Sequence, residues 1–386
     1  MNTIKLPVAG GGMEPYQLHA QSGFPNQIAG PFNRIAFAAA HVVADPMATT
    51  DPWVTSAIDW EATLNFRRHL WGLGFGVAEA MDTAQRGMGL DWPASLELIE
   101  RSLDAAGDVP GAVVASGAGT DHLATGAGIT IDAVIGAYSE QCAAIEKLGG
   151  RIILMASRAL AACATSPDDY ARVYGRILEQ VRQPVIIHWL GEMFDPALAG
   201  YWGMPDHMGA MDVCLNILAD HATKIDGIKI SLLDKDKEIA LRARLPQGVV
   251  MYTGDDFNYA ELIAGDGKAH SEALLGIFDA IAPAASAALS ALSAGNEAKF
   301  HTILAPTIPL SRHIFSAPTR FYKTGIVFMA YLSGHQDHFV MVAGQQSARS
   351  IGHLAEIFRL ADRAGLLADQ DLAVHRMKVV LAMHGC

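Results

Sequence analysis

The stretch DGIKISLLDKDK, residues 226–237, places a lysine inside an apolar run. Lys229 lies between two isoleucines, a pattern typical of a short buried strand, whereas Lys235 and Lys237 stand in a charged segment that is typical of a solvated surface. A charged ammonium group is costly to remove from water, so its place in a buried strand needs an explanation. Two explanations are open. Either the ammonium group extends to the end of the strand while its methylenes pack, or burial lowers its pKa and makes the free amine a nucleophile.

Short apolar runs of this kind recur along the chain, and each is followed by a longer segment with helical periodicity. Eight of them are interpreted as strands, at residues 35–40, 75–81, 112–116, 152–155, 185–189, 227–230, 249–252 and 273–277. Strands that alternate with helices predict a parallel sheet. Eight such units over about 250 residues are the size of a (β/α)8 TIM barrel. A doubly wound α/β sheet is the alternative.

The sequence on either side of the predicted strands differs in composition. Residues 1–34 are rich in glycine and proline and predict an irregular N-terminal extension, ahead of a barrel at residues 35–284. Residues 285–386 are alanine-rich and helical in pattern, and they predict a C-terminal helical region. The apolar stretch FMAYLSG at 328–334 predicts a homodimer or homotetramer, because exposed apolar patches usually mark interfaces.

The composition argues against several classes of protein. The net charge of −12, without any cluster of lysine and arginine, argues against a nucleic-acid partner. No apolar run reaches the ~18 residues of a membrane span, and the first residues do not follow the order of a signal peptide. The four cysteines form no CxxC pair, so neither a zinc site nor a disulfide framework is indicated. We therefore expect a cytoplasmic protein without a membrane partner.

A dinucleotide cofactor and a metal ion are both considered. The stretches GLGFG at 72–76 and SGAGT at 116–120 resemble dinucleotide loops, but the first precedes its apolar run and the second lacks the third glycine. Histidines at or near the ends of predicted strands could contribute to an active site, because the carboxyl ends of barrel strands form the active-site face. These histidines are His41, His122, His188 and His207. The candidate ligands of a divalent metal are His41, Glu79, Asp82, His188 and Glu192. No spacing among them is specific to a metal, so we predict neither metal nor cofactor.

Three segments together resemble the dihydrodipicolinate synthase and N-acetylneuraminate lyase family, class I aldolases built on a TIM barrel. RQPVIIHWLGEMF at 182–194 is similar to the family's fifth strand, Pro-Val-x-x-Tyr-Asn-x-Pro. DGIKIS is similar to its sixth strand, Gly-x-Lys-x-Ser, which carries the Schiff-base lysine. GVVMYTGDDFN at 248–258 is similar to its seventh strand, with a Gly-x-Asp turn at Gly254, Asp255 and Asp256. The likeness covers residues 35–386 and is specific at these three strands. The chain looks like a branch beside this family.

The resemblance implies roles for some residues and departs from the family at others. It implies that Lys229 is the Schiff-base nucleophile and that His188, in place of the family's strand-five tyrosine, transfers protons. The family's strand-five arginine aligns with Met193, and its tyrosine pair after strand four falls at 157–159, where the sequence is SRA. Its Gly-Thr-Thr-Gly-Glu loop, which binds a keto-acid carboxylate, falls at 81–85. In this sequence Asp82 and Thr83 stand at the positions of the two threonines.

The departures change the expected substrate. An aspartate in the loop that binds the keto-acid carboxylate would repel that carboxylate, so dihydrodipicolinate synthase activity itself is not expected. A keto sugar or a keto-sugar acid fits better. The substrate-binding candidates are Asp82, Thr83, Arg158, Glu192, Gly254 and Asp255. Asp255 is equally open to a second interpretation, in which it hydrogen-bonds the backbone of its own turn.

The sequence thus predicts a Schiff-base-forming lyase, an aldolase or dehydratase that acts on a small hydroxylated keto compound. Two alternatives stay open: a metal-dependent TIM-barrel sugar isomerase or epimerase, and a non-catalytic barrel that binds carbonyl compounds.

Overall fold

Eight parallel strands close into a barrel in the structure, a computed structural model that describes residues 3–20, 23–25, 30–124, 126 and 128–386. The barrel strands are β3 (Ala36–Ala39), β4 (Gly76–Glu79), β5 (Val114–Ala118), β6 (Arg151–Leu154), β7 (Val185–Leu190), β8 (Ile225–Ser231), β9 (Val250–Thr253) and β10 (Glu272–Leu275). They follow one another in chain order around the barrel, and β10 pairs with β3 to close it. The predicted TIM barrel is confirmed, and the doubly wound sheet is wrong.

The strands separate two apolar cores. A small cluster of ten buried side chains, among them Phe37, Ile186 and Tyr252, fills the barrel lumen. A much larger cluster fills the space between the strands and the helices, and it includes Ile228 and Ile230. Because successive side chains of a strand point to opposite faces, the residue between these two isoleucines points into the lumen. The buried lysine of β8 therefore faces the inside of the barrel.

Helices surround the barrel and connect its strands. They are α1 (Trp60–Gly72), α2 (Trp92–Gly107), α3 (Ile131–Lys147), α4 (Arg158–Cys163), α5 (Pro167–Gln180), α6 (His207–Asp220), α7 (Lys235–Arg242), α8 (Tyr259–Ala264) and α9 (Ile277–Ala280). Short 3₁₀ helices occur at Asp82–Ala84, Pro196–Leu198, Tyr201–Gly203, Ala222–Lys224, Thr319–Phe321 and Val342–Ala348. Many of the α-helices begin after an aspartate, serine or threonine whose side chain accepts a backbone hydrogen bond, as Asp59 does before α1.

The C-terminal region is helical. Its helices are α10 (Ala282–Ser293), α11 (Glu297–Leu304), α12 (Thr307–Ile314), α13 (Tyr322–Leu332), α14 (Ile351–Arg363) and α15 (Gln370–Met383). Every residue of α13 is buried within the chain. The apolar stretch that suggested an exposed interface is therefore mostly core, because its first five residues pack inside the molecule. The prediction of a homodimer or homotetramer loses this support.

The N-terminal residues differ from the predicted irregular extension. The strands β1 (Thr3–Pro7) and β2 (Met13–Gln17) form an antiparallel hairpin. Ile4 and Leu6 are buried while their neighbours Thr3 and Lys5 are exposed, which is the alternation of a half-buried strand. The glycines at 10–12 all adopt positive φ and make the turn between the strands. The prediction is wrong here because glycines in a single defined turn have the same composition as an irregular segment. Residues 1–2, 21–22 and 26–29 of the predicted extension lie outside the described residues.

No helix within the described residues combines the length and the apolar character that crossing a lipid bilayer requires.

Candidate active site

Lys229 stands in the lumen near the carboxyl end of β8, and only 7% of the residue is exposed. In the described part of the chain, its Nζ atom has no hydrogen-bond or ion-pair partner. Burial lowers the pKa of its amine below the usual value, and the carboxylates of Asp256 and Asp82 partly oppose this effect. Burial therefore favours the unprotonated amine, which is the form that attacks a carbonyl carbon.

Asp256 is the carboxylate whose charge most strongly opposes the fall in the pKa of Lys229. It follows β9, is 4% exposed, and its Oδ1 accepts a hydrogen bond of 2.8 Å from the backbone N–H of Ile277. Burial raises the pKa of Asp256 to about 7, while the hydrogen bond to Ile277 and the charge of Lys229 favour the carboxylate. Its charge therefore changes close to neutral pH, beside an amine that must lose its proton to react.

His188 lies beside Lys229 because β7 and β8 pair in a register that sets the two residues opposite each other. Its Nε2 is 3.1 Å from the Oγ atom of Ser231. Burial, and then the charge of Lys229, lower the pKa of His188 well below the ordinary value for histidine. The ring is therefore a neutral imidazole, which can accept or donate a hydrogen bond at a substrate but adds no positive charge.

A tyrosine from the C-terminal region enters the site. Tyr322, the first residue of α13, places its hydroxyl 2.9 Å from the Oγ1 of Thr83, which belongs to the 3₁₀ helix after β4. Burial, and then the charge of Asp82, raise the pKa of Tyr322 well above its usual value, so the phenol keeps its proton. Phe315 stacks on the ring at a centroid distance of 4.3 Å and fixes its plane. The sequence reasoning missed Tyr322, because no pattern in FYKTG indicates that this helix reaches the barrel mouth.

Gly254 lets the backbone after β9 approach the lysine closely. A Cβ atom at this position would lie 2.7 Å from the Cε of Lys229 and 2.7 Å from the carbonyl oxygen of Ile230, and it would also collide with the Oγ of Ser231. Contacts this short are not tolerated. The predicted role of Gly254 in the site is thus one of shape, since its missing side chain makes room for that of Lys229.

Two connected cavities give access to the lysine. The inner one, of about 10 Å³, has room for one water molecule at most and is lined by Lys229, Thr83, Asp256, Ser231 and Tyr322, among others. The outer one has a volume of about 370 Å³. Asp82, His188 and Leu190 line both cavities. The outer cavity is large enough for a small molecule, and a carbonyl group that passes Asp82 would meet the amine.

The other predicted substrate-binding residues are placed differently. Arg158 lines the outer cavity, but its guanidinium group is paired with Asp195. Glu192 is exposed and is not among the residues that line either cavity. Asp255 accepts hydrogen bonds from the backbone of Phe257 and from Asn258, at 2.8 to 3.1 Å. This arrangement matches the turn-forming interpretation of Asp255, and Asp256 is the aspartate of this motif that lines the inner cavity with Lys229.

The ligand set of the metal-dependent alternative does not come together. Glu79 accepts two hydrogen bonds from the guanidinium group of Arg67 and one from Ser102, all at 2.6 to 2.9 Å. His41 is hydrogen-bonded to Asp279 instead. Among the residues described, no three histidine, cysteine, aspartate or glutamate side chains are arranged to hold a metal ion. The proposed grouping of His41, Glu79, Asp82, His188 and Glu192 is therefore wrong.

The fold is shared with solved structures of dihydrodipicolinate synthase. The enzyme from Thermotoga maritima has 15% sequence identity and a TM-score of 0.64, over 86% of this chain and 99% of that one. The enzyme from Aquifex aeolicus has 12% identity and a TM-score of 0.64, over 86% and 98% of the two chains. The chloride-inhibited enzyme from Acinetobacter baumannii, solved in complex with pyruvate, has 15% identity and a TM-score of 0.63, over 86% and 99%.

These likenesses confirm the predicted resemblance at the level of the fold. No curated protein matches the chain in sequence. One family model, described as "Protein of unknown function (DUF993)", matches residues 4–386, and the chain therefore belongs to the DUF993 family.

Proposed function

We propose that this protein is a Schiff-base-forming lyase of the class I aldolase type, with Lys229 as its nucleophile. The observation that carries the proposal is the buried amine of Lys229, which faces the barrel lumen and has no ion-pair partner in the described part of the chain. A buried lysine without a hydrogen-bonded ion-pair partner is costly for the fold, and it is useful where a free amine must react. The likeness of the fold to dihydrodipicolinate synthase structures supports the same class of reaction.

The first step is attack of the Lys229 amine on the carbonyl carbon of the substrate. A C–N bond forms, the carbonyl π electrons move to oxygen, and that oxygen takes a proton to give a carbinolamine. The hydroxyl of Tyr322 is the proton donor, because its raised pKa keeps it protonated and Thr83 holds it in place. The nitrogen, which carries an extra proton after the attack, passes that proton to the new hydroxyl group, and loss of this group as water leaves an iminium ion on Lys229.

The iminium ion makes the second step possible. A base removes the proton from a hydroxyl group on the β carbon, counted from the iminium carbon. The bond between the α and β carbons breaks, its electrons form an enamine, and the β carbon leaves in an aldehyde. In a dehydration a base instead removes a proton from the α carbon, and the electrons of that C–H bond form the enamine. The enamine then expels hydroxide from the β carbon. His188 is neutral and lines the same cavity, so it is suited to accept or direct the proton in this step. After cleavage, the enamine takes a proton at carbon to give a new iminium ion, and hydrolysis of that ion returns the free lysine.

The proposed substrate is a small hydroxylated keto compound, such as a keto sugar or a keto-sugar acid. Asp82 lies where the two cavities meet, and its side chain has no hydrogen-bond partner among the described residues. A free carboxylate accepts hydrogen bonds from substrate hydroxyls and repels a carboxylate attached to the reacting carbonyl. An acidic group at the far end of the substrate could be met by Arg158 in the outer cavity.

The proposed reaction uses neither a metal nor an organic cofactor, because the iminium ion itself accepts the electrons. All four cysteines are free thiols, a state that suits a cytoplasmic location. A homodimer or homotetramer is the proposed assembly, and light scattering that gives the monomer mass at micromolar concentration would contradict it.

Borohydride trapping tests the mechanism. Sodium borohydride added with dihydroxyacetone reduces any iminium ion to a stable amine, whose position peptide mass analysis identifies. The adduct is expected on Lys229; it should be lost in Lys229→Ala and retained in Lys235→Ala, whose lysine is partly exposed and paired with Glu261. If a panel of hydroxylated ketones and keto acids gives no adduct on Lys229, the proposal is wrong.

A further inference from the structure

Ser231 is the last residue of β8 and stands two places after Lys229, so both side chains point into the barrel lumen. Both residues line the inner cavity. A Cβ atom placed on Gly254 would lie 2.3 Å from the Oγ of Ser231 and 2.7 Å from the Cε of Lys229, so the hydroxyl group and the lysine side chain are close neighbours. The reaction steps proposed above do not use this hydroxyl group.

The hydroxyl group of Ser231 has a single partner. Its Oγ atom is 3.1 Å from the Nε2 of His188, and it makes no other hydrogen bond within the described residues. A buried hydroxyl group normally donates its hydrogen to an acceptor. Ser231 therefore donates to Nε2, which carries a lone pair, and the single proton of the neutral imidazole is on Nδ1.

The second ring nitrogen of His188 faces the space where a substrate would bind. Nδ1 has no hydrogen-bond partner among the residues that the structure describes, and the ring lines both the inner and the outer cavity. Nδ1 is not sealed inside the protein, because it retains accessible surface in the cavity. The ring thus connects a neighbour of Lys229 on one side with the substrate on the other.

Formation of the iminium ion requires one proton to be moved. After the amine of Lys229 has attacked, its nitrogen carries an extra proton, while the new hydroxyl group needs a proton to leave as water. The inner cavity has room for one water molecule at most, so bulk water cannot carry this proton. Protein groups must therefore accept a proton from the nitrogen and supply one to the hydroxyl group.

We propose that Ser231 and His188 form a two-residue proton relay, which rests on the proposed lyase mechanism and carries this proton. The nitrogen gives its proton to Oγ of Ser231, the hydrogen of Oγ passes to Nε2 of His188, and Nδ1 gives its proton to the hydroxyl group, which leaves as water. The positive charge ends on the iminium ion. The serine has regained its hydrogen, and the imidazole is neutral with its proton on Nε2.

The transfer changes the tautomer of His188 and so prepares it for the second step. Nδ1 carried a proton before the transfer and presents a lone pair to the substrate after it. That lone pair can accept the proton of the β-hydroxyl group when the carbon–carbon bond breaks. Burial and the charge of Lys229 keep the pKa of His188 well below its usual value, so the ring passes protons on and does not retain them.

The tautomer of His188 can be measured by NMR without any substrate. In protein with isotopically labelled histidines, long-range proton–nitrogen correlations show which ring nitrogen carries the proton, and the signal missing from His188→Asn gives the assignment. The wild-type ring should carry its proton on Nδ1. In Ser231→Ala the proton should move to Nε2, the position that neutral histidine favours in water. A wild-type ring protonated on Nε2 would overturn the proposal.

Borohydride trapping with dihydroxyacetone tests the relay during the reaction. The rate should fall about 10²-fold in Ser231→Ala, because formation of the iminium ion loses a positioned proton carrier. Ser231→Thr keeps the hydroxyl group and should restore most of the rate. The matched control is Ser116→Ala in β5, which removes a buried hydroxyl group without a partner among the described residues and should change nothing.

The possible results separate the relay from the lyase mechanism. Trapping at the wild-type rate in Ser231→Ala, or an equal fall in Ser116→Ala, would contradict the relay and leave the Schiff base on Lys229 intact. A wild-type protein that forms no adduct on Lys229 would refute the lyase mechanism, and the relay with it. Thermal unfolding of each variant shows whether a lower rate reflects a disturbed fold, and the NMR result for the wild-type protein does not depend on any variant that must fold.

Discussion

Thr83 and Tyr322 are hydrogen-bonded through their hydroxyl groups at 2.9 Å, although 239 residues separate them in the chain. Thr83 belongs to the loop after the second barrel strand, and Tyr322 begins a helix of the C-terminal region. The bond joins the barrel mouth to the helical region and aims a protonated phenol at the cavity of Lys229. The candidate site is therefore built by two parts of the chain.

Tyr322→Phe should reduce turnover by about 10² to 10⁴, the usual contribution of a positioned proton donor. Phenylalanine keeps the packing on Phe315 and removes only the hydroxyl. Borohydride trapping on Lys229 should still occur, at a lower rate, because the amine is unchanged. Tyr331→Phe, on the same helix but away from the cavity, is the control and should keep its turnover. Wild-type turnover in Tyr322→Phe would exclude the tyrosine as the donor.

Lys229→Met should make the protein more stable at neutral pH. Burial lowers the folded-state pKa of Lys229 below its unfolded value, so stability falls as the pH drops below the unfolded pKa, and the loss is complete once the pH is below the folded pKa. Methionine removes this cost, and each unit of pKa depression corresponds to about 1.4 kcal/mol in the free energy of unfolding. Urea denaturation at pH 7 measures the effect. Lys235→Met should give no such gain, since Glu261 raises the pKa of Lys235.

Asp256→Asn should change how stability depends on pH. Burial raises the folded pKa of Asp256 from 3.8 to about 7, so the stability that it contributes is complete below the unfolded pKa and is lost as the pH rises through about 7. Asparagine resembles the protonated acid and does not titrate. The free energy of unfolding of the variant, relative to wild type, should therefore increase from pH 4 to pH 8 in urea titrations. Asp266→Asn, on the surface, should show no such increase; a flat difference for Asp256→Asn would contradict its raised pKa.

Asp82→Asn should improve reaction with keto acids. The free carboxylate of Asp82 at the junction of the two cavities opposes a substrate carboxylate, and asparagine removes the repulsion while keeping the shape. The rate of borohydride trapping with pyruvate should rise about tenfold, which corresponds to ~1.4 kcal/mol. Trapping with dihydroxyacetone, which carries no charge, should rise less or fall. Asp195→Asn is the control at the outer cavity. A wild-type protein that traps pyruvate more readily than dihydroxyacetone would show that Asp82 does not select the substrate.

Gly254→Ala should destabilise the fold by about 1 to 3 kcal/mol, the usual cost of overpacking, and should displace the lysine. The added Cβ atom would lie 2.7 Å from Cε of Lys229, which must move away. Loss of trapping should therefore exceed what the loss of stability explains. Gly136→Ala provides the comparison: it lies in α3 with nothing within 4 Å of the added atom, and it should stabilise the helix by up to about 1 kcal/mol.

The barrel and its lysine were predictable from the sequence, because both rest on local patterns. All eight predicted strands overlap the observed ones. The two isoleucines put Lys229 on the face opposite to theirs, and the resemblance to the family's sixth strand identified that face as the lumen. In the Gly-Asp-Asp turn, the local pattern could not decide which aspartate faces the lysine. That choice depends on the hydrogen bond between Asp256 and Ile277, a contact between two neighbouring strand ends.

The parts that the sequence did not predict depend on distant contacts. Tyr322 enters the site only because α13 packs across the barrel mouth, and nothing in its own segment encodes that packing. The same burial of α13 explains why its apolar residues suggested an interface: a helix buried on all sides has the composition of an exposed apolar patch. The hairpin at residues 3–17 was missed because a cluster of glycines predicts irregular structure, whereas these glycines form one defined turn between two paired strands.

The position of Tyr322 late in the chain orders events during synthesis. A ribosome makes the barrel strands first, and all eight, with Lys229 among them, are complete before the codon for Tyr322 is read. The nascent barrel thus carries its amine without the phenol that would drive carbonyl addition. Only when the C-terminal helical region has been translated and has docked can the two groups work together, so a polypeptide terminated before residue 322 would be left without its proton donor.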